Sequence, residues 1–133
     1  MTIVVGFSAT PPGRAALLAA ADEARLRSTD VLVVNSSRGD AYADPGYAQP
    51  ADLEWVRATL DDAGVSFAVR QEVRGREASE EIVDVLEEVG ATLCVIGLRK
   101  RSAVGKMLLG SNAHRVLMES PCPVLTVRPD EEH

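Results

Sequence analysis

The chain has 133 residues, one domain (1–133) large enough for a real core. A hydrophobic fraction of 46% and a charged fraction of 26% are ordinary for a globular protein. The net charge of -6 argues against nucleic acid or an anionic membrane as partner, and an aromatic content of 4% leaves little for base stacking.

Ile3-Val4-Val5, bounded by Gly6, is a short apolar run that predicts a buried strand. Thr10-Pro11-Pro12 predicts a helix start, with Thr10 as N-cap and proline tolerated in the first turn. Leu17, Leu18, Ala21 and Ala24 give that helix a small face that can approach a sheet closely. Val31 to Val34 is a second continuous apolar run, as expected of a strand covered on both faces. Asn35 to Gln49, rich in Ser, Gly, Asp, Pro and Tyr, predicts a loop. Arg38-Gly39-Asp40 within it spells an adhesion tripeptide by chance.

A helix is expected from near Ala51, with Leu53, Val56, Leu60 and Ala63 on one stripe and Gly64 at its end. Trp55 lies off that stripe and reads as a rim contact with the loop, with a partner surface as the sharper alternative. Val65, Phe67 and Val69 alternate with polar or small residues, which predicts a half-exposed edge strand. Gly75-Arg76-Glu77 leads into the clearest helix, with Ile82, Val85, Leu86 and Val89 inward. Its carboxylates, Glu80, Glu81, Asp84, Glu87 and Glu88, are expected on a solvated outer face. Leu93 to Ile96 and Val124 to Val127 complete the strands. The alternation of strands and helices calls for an α/β, mostly parallel, doubly wound sheet. Ligands of such sheets bind at the carboxyl ends of strands where the strand order reverses.

Chemistry is sparse. Cys94 lies in an apolar run and is expected in the core, whereas Cys122 lies between prolines, with a redox role as the lesser alternative. There is no Cys-x-x-Cys, and His114 and His133 are too isolated for zinc. Gly105-Lys106-Met107 imitates a Walker A end, but Met107 has no hydroxyl for magnesium. Ser111 lacks a nucleophile elbow, and His114, three positions along the same helix, reads as a surface residue. The chain is therefore read as a binding protein and not an enzyme. Met1-Thr2-Ile3 runs straight into a strand with no apolar leader or membrane-length run, so a cytoplasmic, membrane-free protein is expected.

The informative stretch runs from Cys94 to Arg128. A strand ends at Gly97, a basic loop Arg99-Lys100-Arg101 follows, and Gly110-Ser111 opens a helix through Asn112 to Met118. Unpaired N–H groups and the dipole at a helix start favour an anion. With Leu108-Leu109-Gly110-Ser111, Arg115-Val116-Leu117 and Pro121-Cys122-Pro123-Val124-Leu125, this stretch resembles the universal stress protein family. Ile3-Val4-Val5-Gly6, Arg14-Ala15-Ala16-Leu17 and Glu80-Glu81-Ile82 extend the resemblance over the whole chain. The family signature is Gly, a second Gly three positions on, then nine residues and Gly-Ser; Gly97, Gly110 and Ser111 match, and Lys100 replaces the second Gly.

The resemblance implies a five-stranded sheet of order 3-2-1-4-5 with the adenine nucleotide alpha hydrolase-like fold. It also implies a homodimer through antiparallel pairing of the last strand, Val124, Leu125, Thr126 and Val127. Nucleotide-binding members hold ATP between the ends of strands one and four. Carried over residue by residue, the Asp after the first strand is Ser8, followed by Ala9 and Thr10. Ser36 stands where the second strand borders adenine. Gly97, Arg99, Lys100, Gly110, Ser111 and Asn112 stand in the phosphate loop. ATP or AMP is the ligand so implied, with magnesium if ATP binds, and no cofactor is certain. Without the Asp and the second Gly, the first expectation is a regulatory protein with weakened or lost nucleotide binding. The alternative is an adenine-nucleotide sensor whose basic loop is a variant phosphate site.

Overall fold

The computed structural model describes residues 1–37, 46–73, 77–98 and 110–129. The elements are β1 (Thr2–Gly6), α1 (Pro11–Arg27), β2 (Asp30–Ser37), α2 (Pro50–Asp62), β3 (Phe67–Val73), α3 (Ala78–Val89), β4 (Leu93–Gly97), α4 (Ser111–Glu119) and β5 (Val124–Val127). The strands form one parallel sheet in the order β3-β2-β1-β4-β5. The expected order is therefore observed, with β3 and β5 at the edges.

The continuous apolar runs follow from burial on both faces. Ile3 and Val5 of β1 point into one core layer with Val31, Val33 and Val95, under α1 and α2. Val4 points into the other layer with Val34, Cys94 and Ile96, under α3 and α4. Truncating a buried leucine such as Leu17 or Leu60, both fully buried, costs about 2–5 kcal/mol. Surface ion pairs such as Arg27–Glu23, 3.0 Å apart, contribute about 0–1 kcal/mol each. The core, not the charge pattern, holds this fold.

Helix ends match their sequence signals. Thr10 caps α1 by accepting from the Gly13 N–H at 3.3 Å, with Pro11 and Pro12 in the first turn. Gly64 and Gly90, after α2 and α3, take φ of +71° and +62°. α1 lies very close to the sheet. Its buried residues, Ala16, Ala20, Ala21 and Ala24 beside Leu17, are small. At its start, a Cβ on Gly97 would lie 2.1 Å from the Pro12 carbonyl oxygen, and one on Gly13 would lie 2.0 Å from that of Ser8. Both contacts are with backbone and cannot relax by a side-chain turn.

Two expectations need correction, and Trp55 gains a partner. β2 does not end at Val34: Asn35, Ser36 and Ser37 continue it, in register with Gln71, Glu72 and Val73. The ladder to β3 outweighs the turn preference of Asn-Ser-Ser. Glu81 is not on a solvated face but is buried, with 3% exposure. α3 packs against α4 as well as the sheet, which buries Ser79 and Val83 on one flank, while Glu81 lies on the other, the flank from which Glu88 reaches Arg70 of β3. Trp55 is half-buried and stacks on Phe7, with ring centroids 6.3 Å apart and planes at 25°. It packs at the edge of the core. Arg38-Gly39-Asp40 and Gly105-Lys106-Met107 lie outside the described residues.

Cys94 is fully buried in β4, as expected, and Cys122 is a free, half-buried thiol. Burial, with a smaller push from Cys122, moves the Cys94 thiol from 9.0 up to about 12. The neutral thiol is the form the fold favours. Between those values the unfolded chain releases the proton and the folded chain keeps it. This contribution is whole below pH 9.0 and is lost as pH rises toward about 12.

Two predictions follow from the core. Gly97→Ala costs at least about 2 kcal/mol by overpacking against backbone. Gly64→Ala, strained at φ +71° but in open space, costs about 1 kcal/mol. Urea denaturation ranks the two, and the reverse order defeats the packing argument. Raising the pH from about 8 to about 10.5 lowers the urea midpoint of the wild type more than that of Cys94→Val, whose folded and unfolded states lack this proton. Equal shifts would remove Cys94 as the cause.

Candidate functional site

The strand order reverses between β1, which leads back toward β2, and β4, which leads on to β5. At that point the described helices leave space above the strand ends, because α1 departs to one face and α4 lies on the other. The result is a crevice of about 650 Å³. Its floor is Gly6 of β1, Phe7 just beyond it, and Ile96 and Gly97 from β4. Its walls are Ser8 and Thr10, the β2 end at Asn35 and Ser36, and the first turns of α3 and α4.

The expected site residues sort as follows. Ser8, Thr10, Ser36, Gly97, Gly110, Ser111 and Asn112 are brought together around this one crevice. Ala9 does not line it; its N–H donates to the Gly46 carbonyl at 3.0 Å, so it holds the wall instead of facing a ligand. Arg99 and Lys100 lie outside the described residues, as do Arg101 and Lys106. The expected ligand role of Gly97 gains a mechanical one, since its missing Cβ is what admits the Pro12 carbonyl.

Ser8 and Thr10 form a hydroxyl pair at 2.7 Å. The Thr10 oxygen already accepts from Gly13 N–H, so this pair presents neutral hydroxyls to the crevice and no carboxylate. Across it, α4 opens at Gly110, whose carbonyl accepts from His114 N–H at 2.9 Å. Among the described residues, no acceptor takes the N–H groups of Ser111, Asn112 or Ala113. These groups and the positive helix end favour an anion there. The Asn112 side chain is partly committed: its Oδ1 accepts from Ser79 N–H at 3.4 Å, tying the start of α4 to the start of α3. Arg115 reinforces the tie through Glu80, 3.8 Å away. His114 is exposed, as expected. Among the described residues, no cluster of metal-ligating side chains occurs.

Sequence reasoning missed three contributors. Glu77 is the one charged lining residue among those described; its N–H donates to Glu80 Oε1 at 3.1 Å at the start of α3. Gly13 admits the Ser8 carbonyl, and a glycine inside a helix pattern was its available signal. Asn35 is 1% exposed. Its signal was the alternation Val31, Val33, Asn35, which continues a buried face with a polar side chain. Its Nδ2 donates to the carbonyls of Phe7 at 2.9 Å and Gly46 at 3.0 Å. Its Oδ1 accepts from Ala48 N–H at 2.9 Å and from Gln71 Nε2 at 3.0 Å.

Comparison with known proteins agrees with this architecture. The model of the universal stress protein family matches residues 1–128. A universal stress protein of Mycolicibacterium smegmatis is 49% identical over 127 residues, covering 96% of this chain and 97% of that protein. The structure of a universal stress protein from Archaeoglobus fulgidus superposes with a TM-score of 0.76 at 33% identity, covering 96% of this chain and 98% of that one. A structure of the universal stress protein from the same organism in complex with dAMP gives a TM-score of 0.70 at 30% identity, covering 96% and 97%. By the family model and by these relatives, the chain belongs to the universal stress protein family.

Proposed function

We propose that this protein is a cytoplasmic regulatory protein of the stress response, a homodimer that binds an adenine mononucleotide weakly in the β1/β4 crevice and acts through binding and not turnover. One observation carries the reading. The crevice and the helix starts around it are retained, while the position of the family's Asp is a serine already paired with Thr10. A charged anchor in such a site contributes more than a neutral one. The dAMP complex of the 30% identical relative supports an adenine nucleotide as the ligand class. Ser111 and His114 are both exposed on α4 with no third group to orient them among the described residues, which disfavours nucleophilic catalysis. The second reading, an adenine-nucleotide sensor at full strength, is favoured by the N–H groups of Ser111, Asn112 and Ala113, which no acceptor takes among the described residues, and by the basic sequence Arg99-Lys100-Arg101, with magnesium accompanying ATP.

Titration calorimetry with AMP, and with ATP and magnesium, separates the two. The expected dissociation constant is weaker than about 10 μM. Ser8→Asp with Lys100→Gly tightens it at least about tenfold, or about 1.4 kcal/mol. Low-micromolar binding by the wild type, or no gain in the double variant, rejects the weakened site in favour of the second reading. No binding at millimolar nucleotide rejects both.

The dimer reading rests on β5. The carbonyls of Pro123 and Val127 accept from Cys94 N–H at 3.0 Å and Leu98 N–H at 2.8 Å. Backbone groups alternate along a strand, so those of Val124 and Thr126 face away from β4. They form an open edge suited to a second β5. Thr126→Pro removes one outward N–H and spares the ladder to β4. Light scattering is expected to give twice the 14.2 kDa chain mass for the wild type and the single mass for the variant. A monomeric wild type at micromolar concentration would sink the dimer.

A further inference from the structure

We propose that Asn35 is a positioning residue, a side-chain latch that clamps the segment Gly46–Ala48 to the β1–α1 loop and so preforms one wall of the crevice. The consequence for ligand affinity rests on the nucleotide reading above; the latch itself does not.

An asparagine side chain has two N–H donors and two acceptor sites on its oxygen. Asn35 uses all of them, in four bonds of 2.9 to 3.0 Å. It therefore has nothing left with which to touch a ligand, although it lies along the crevice. The four partners come from three separate parts of the chain: Phe7 at the end of β1, Gly46 and Ala48 before α2, and Gln71 on β3. Gln71 closes the network by donating also to the Ala48 carbonyl at 3.0 Å. A further bond, Ala9 N–H to the Gly46 carbonyl at 3.0 Å, depends on the same placement of Gly46.

The orientation of the amide is determined by its neighbours. Two carbonyls face Nδ2, and two N–H groups face Oδ1. Turning the amide over would set oxygen against oxygen and N–H against N–H. An aspartate has the same shape but no donors when ionised. Asn35→Asp therefore sets a carboxylate oxygen against the Phe7 and Gly46 carbonyls without changing the volume of the core.

This separates a latch from a mere core residue. Hydrogen exchange of the wild type is expected to protect the amides of Ala9 and Ala48 as well as those of β1. In Asn35→Asp, protection of Ala9 and Ala48 falls at least about tenfold relative to Val4 and Val5. Gln71→Ala, which keeps both Asn35 donors, lowers protection of Ala48 more than that of Ala9. AMP affinity in Asn35→Asp falls at least about tenfold under conditions where β1 remains protected. Unchanged protection of Ala9 and Ala48 in Asn35→Asp overturns the latch. So does an equal loss at all four amides in both variants, which would make Asn35 a determinant of global stability. A wild type that binds no AMP defeats the nucleotide reading, and the exchange comparison then decides the latch alone.

Discussion

The ladder between β1 and β4 is the constraint on which the rest depends. These two strands are far apart in sequence, yet Ile3, Val4 and Val5 pair in register with Leu93, Cys94 and Val95. The strands between them in sequence, β2 and β3, lie on the other side of β1. Placing β4 against the free side of β1 reverses the direction of winding. Helices on either side of that junction go to opposite faces, and neither covers the strand ends between them. The crevice is thus a consequence of strand order before any side chain is considered.

What makes the junction tight is the absence of side chains at two points. The start of α1 has its backbone pressed against the end of β4 at Gly97 and against its own preceding loop at Gly13. Gly97 therefore serves two purposes at once. In the sequence it reads as part of an anion loop, and in the fold it is the seat of α1. The same seat brings Thr10 to the crevice as both helix cap and hydroxyl partner of Ser8. Stability and the character of the site are set by the same few atoms.

Electrostatically, the described lining is nearly neutral. It has hydroxyls at Ser8, Thr10, Ser36 and Ser111, backbone donors at the start of α4, and a single carboxylate at Glu77. Such a surface relies on backbone N–H groups and a helix dipole for attraction to an anion. These are modest terms, about 0.3–1 kcal/mol for a dipole at an exposed helix end. A preformed wall matters more under those conditions, because each residue ordered upon binding would consume affinity of the same size. The Asn35 network supplies order at the end of β2, and the tie from Asn112 to Ser79 supplies it where α3 and α4 begin.

Much of this was legible in the residues taken singly. Continuous apolar runs such as Val31 to Val34 gave away strands covered on both faces, and Thr10, Gly64 and Gly90 marked helix ends, because these signals are local. Gly97 and Gly110-Ser111 marked the crevice through family resemblance. Other features depend on what a residue meets far along the chain. Asn35-Ser36-Ser37 reads as a turn but is strand, since β3 offers it a ladder. Glu81 reads as solvated but is buried, since it lies about two turns before Glu88 on the flank of α3 that turns toward β3, where Glu88 pairs with Arg70. Trp55 finds its partner in Phe7, 48 positions earlier in the numbering. The chain by itself thus determined the elements, the cap residues and the missing carboxylate at Ser8, all of which are properties of short segments. Only the tertiary structure decided that Asn35 joins three of those segments, that Gly97 carries α1, and that the outward backbone of β5 belongs to Val124 and Thr126, because each depends on register and approach between elements.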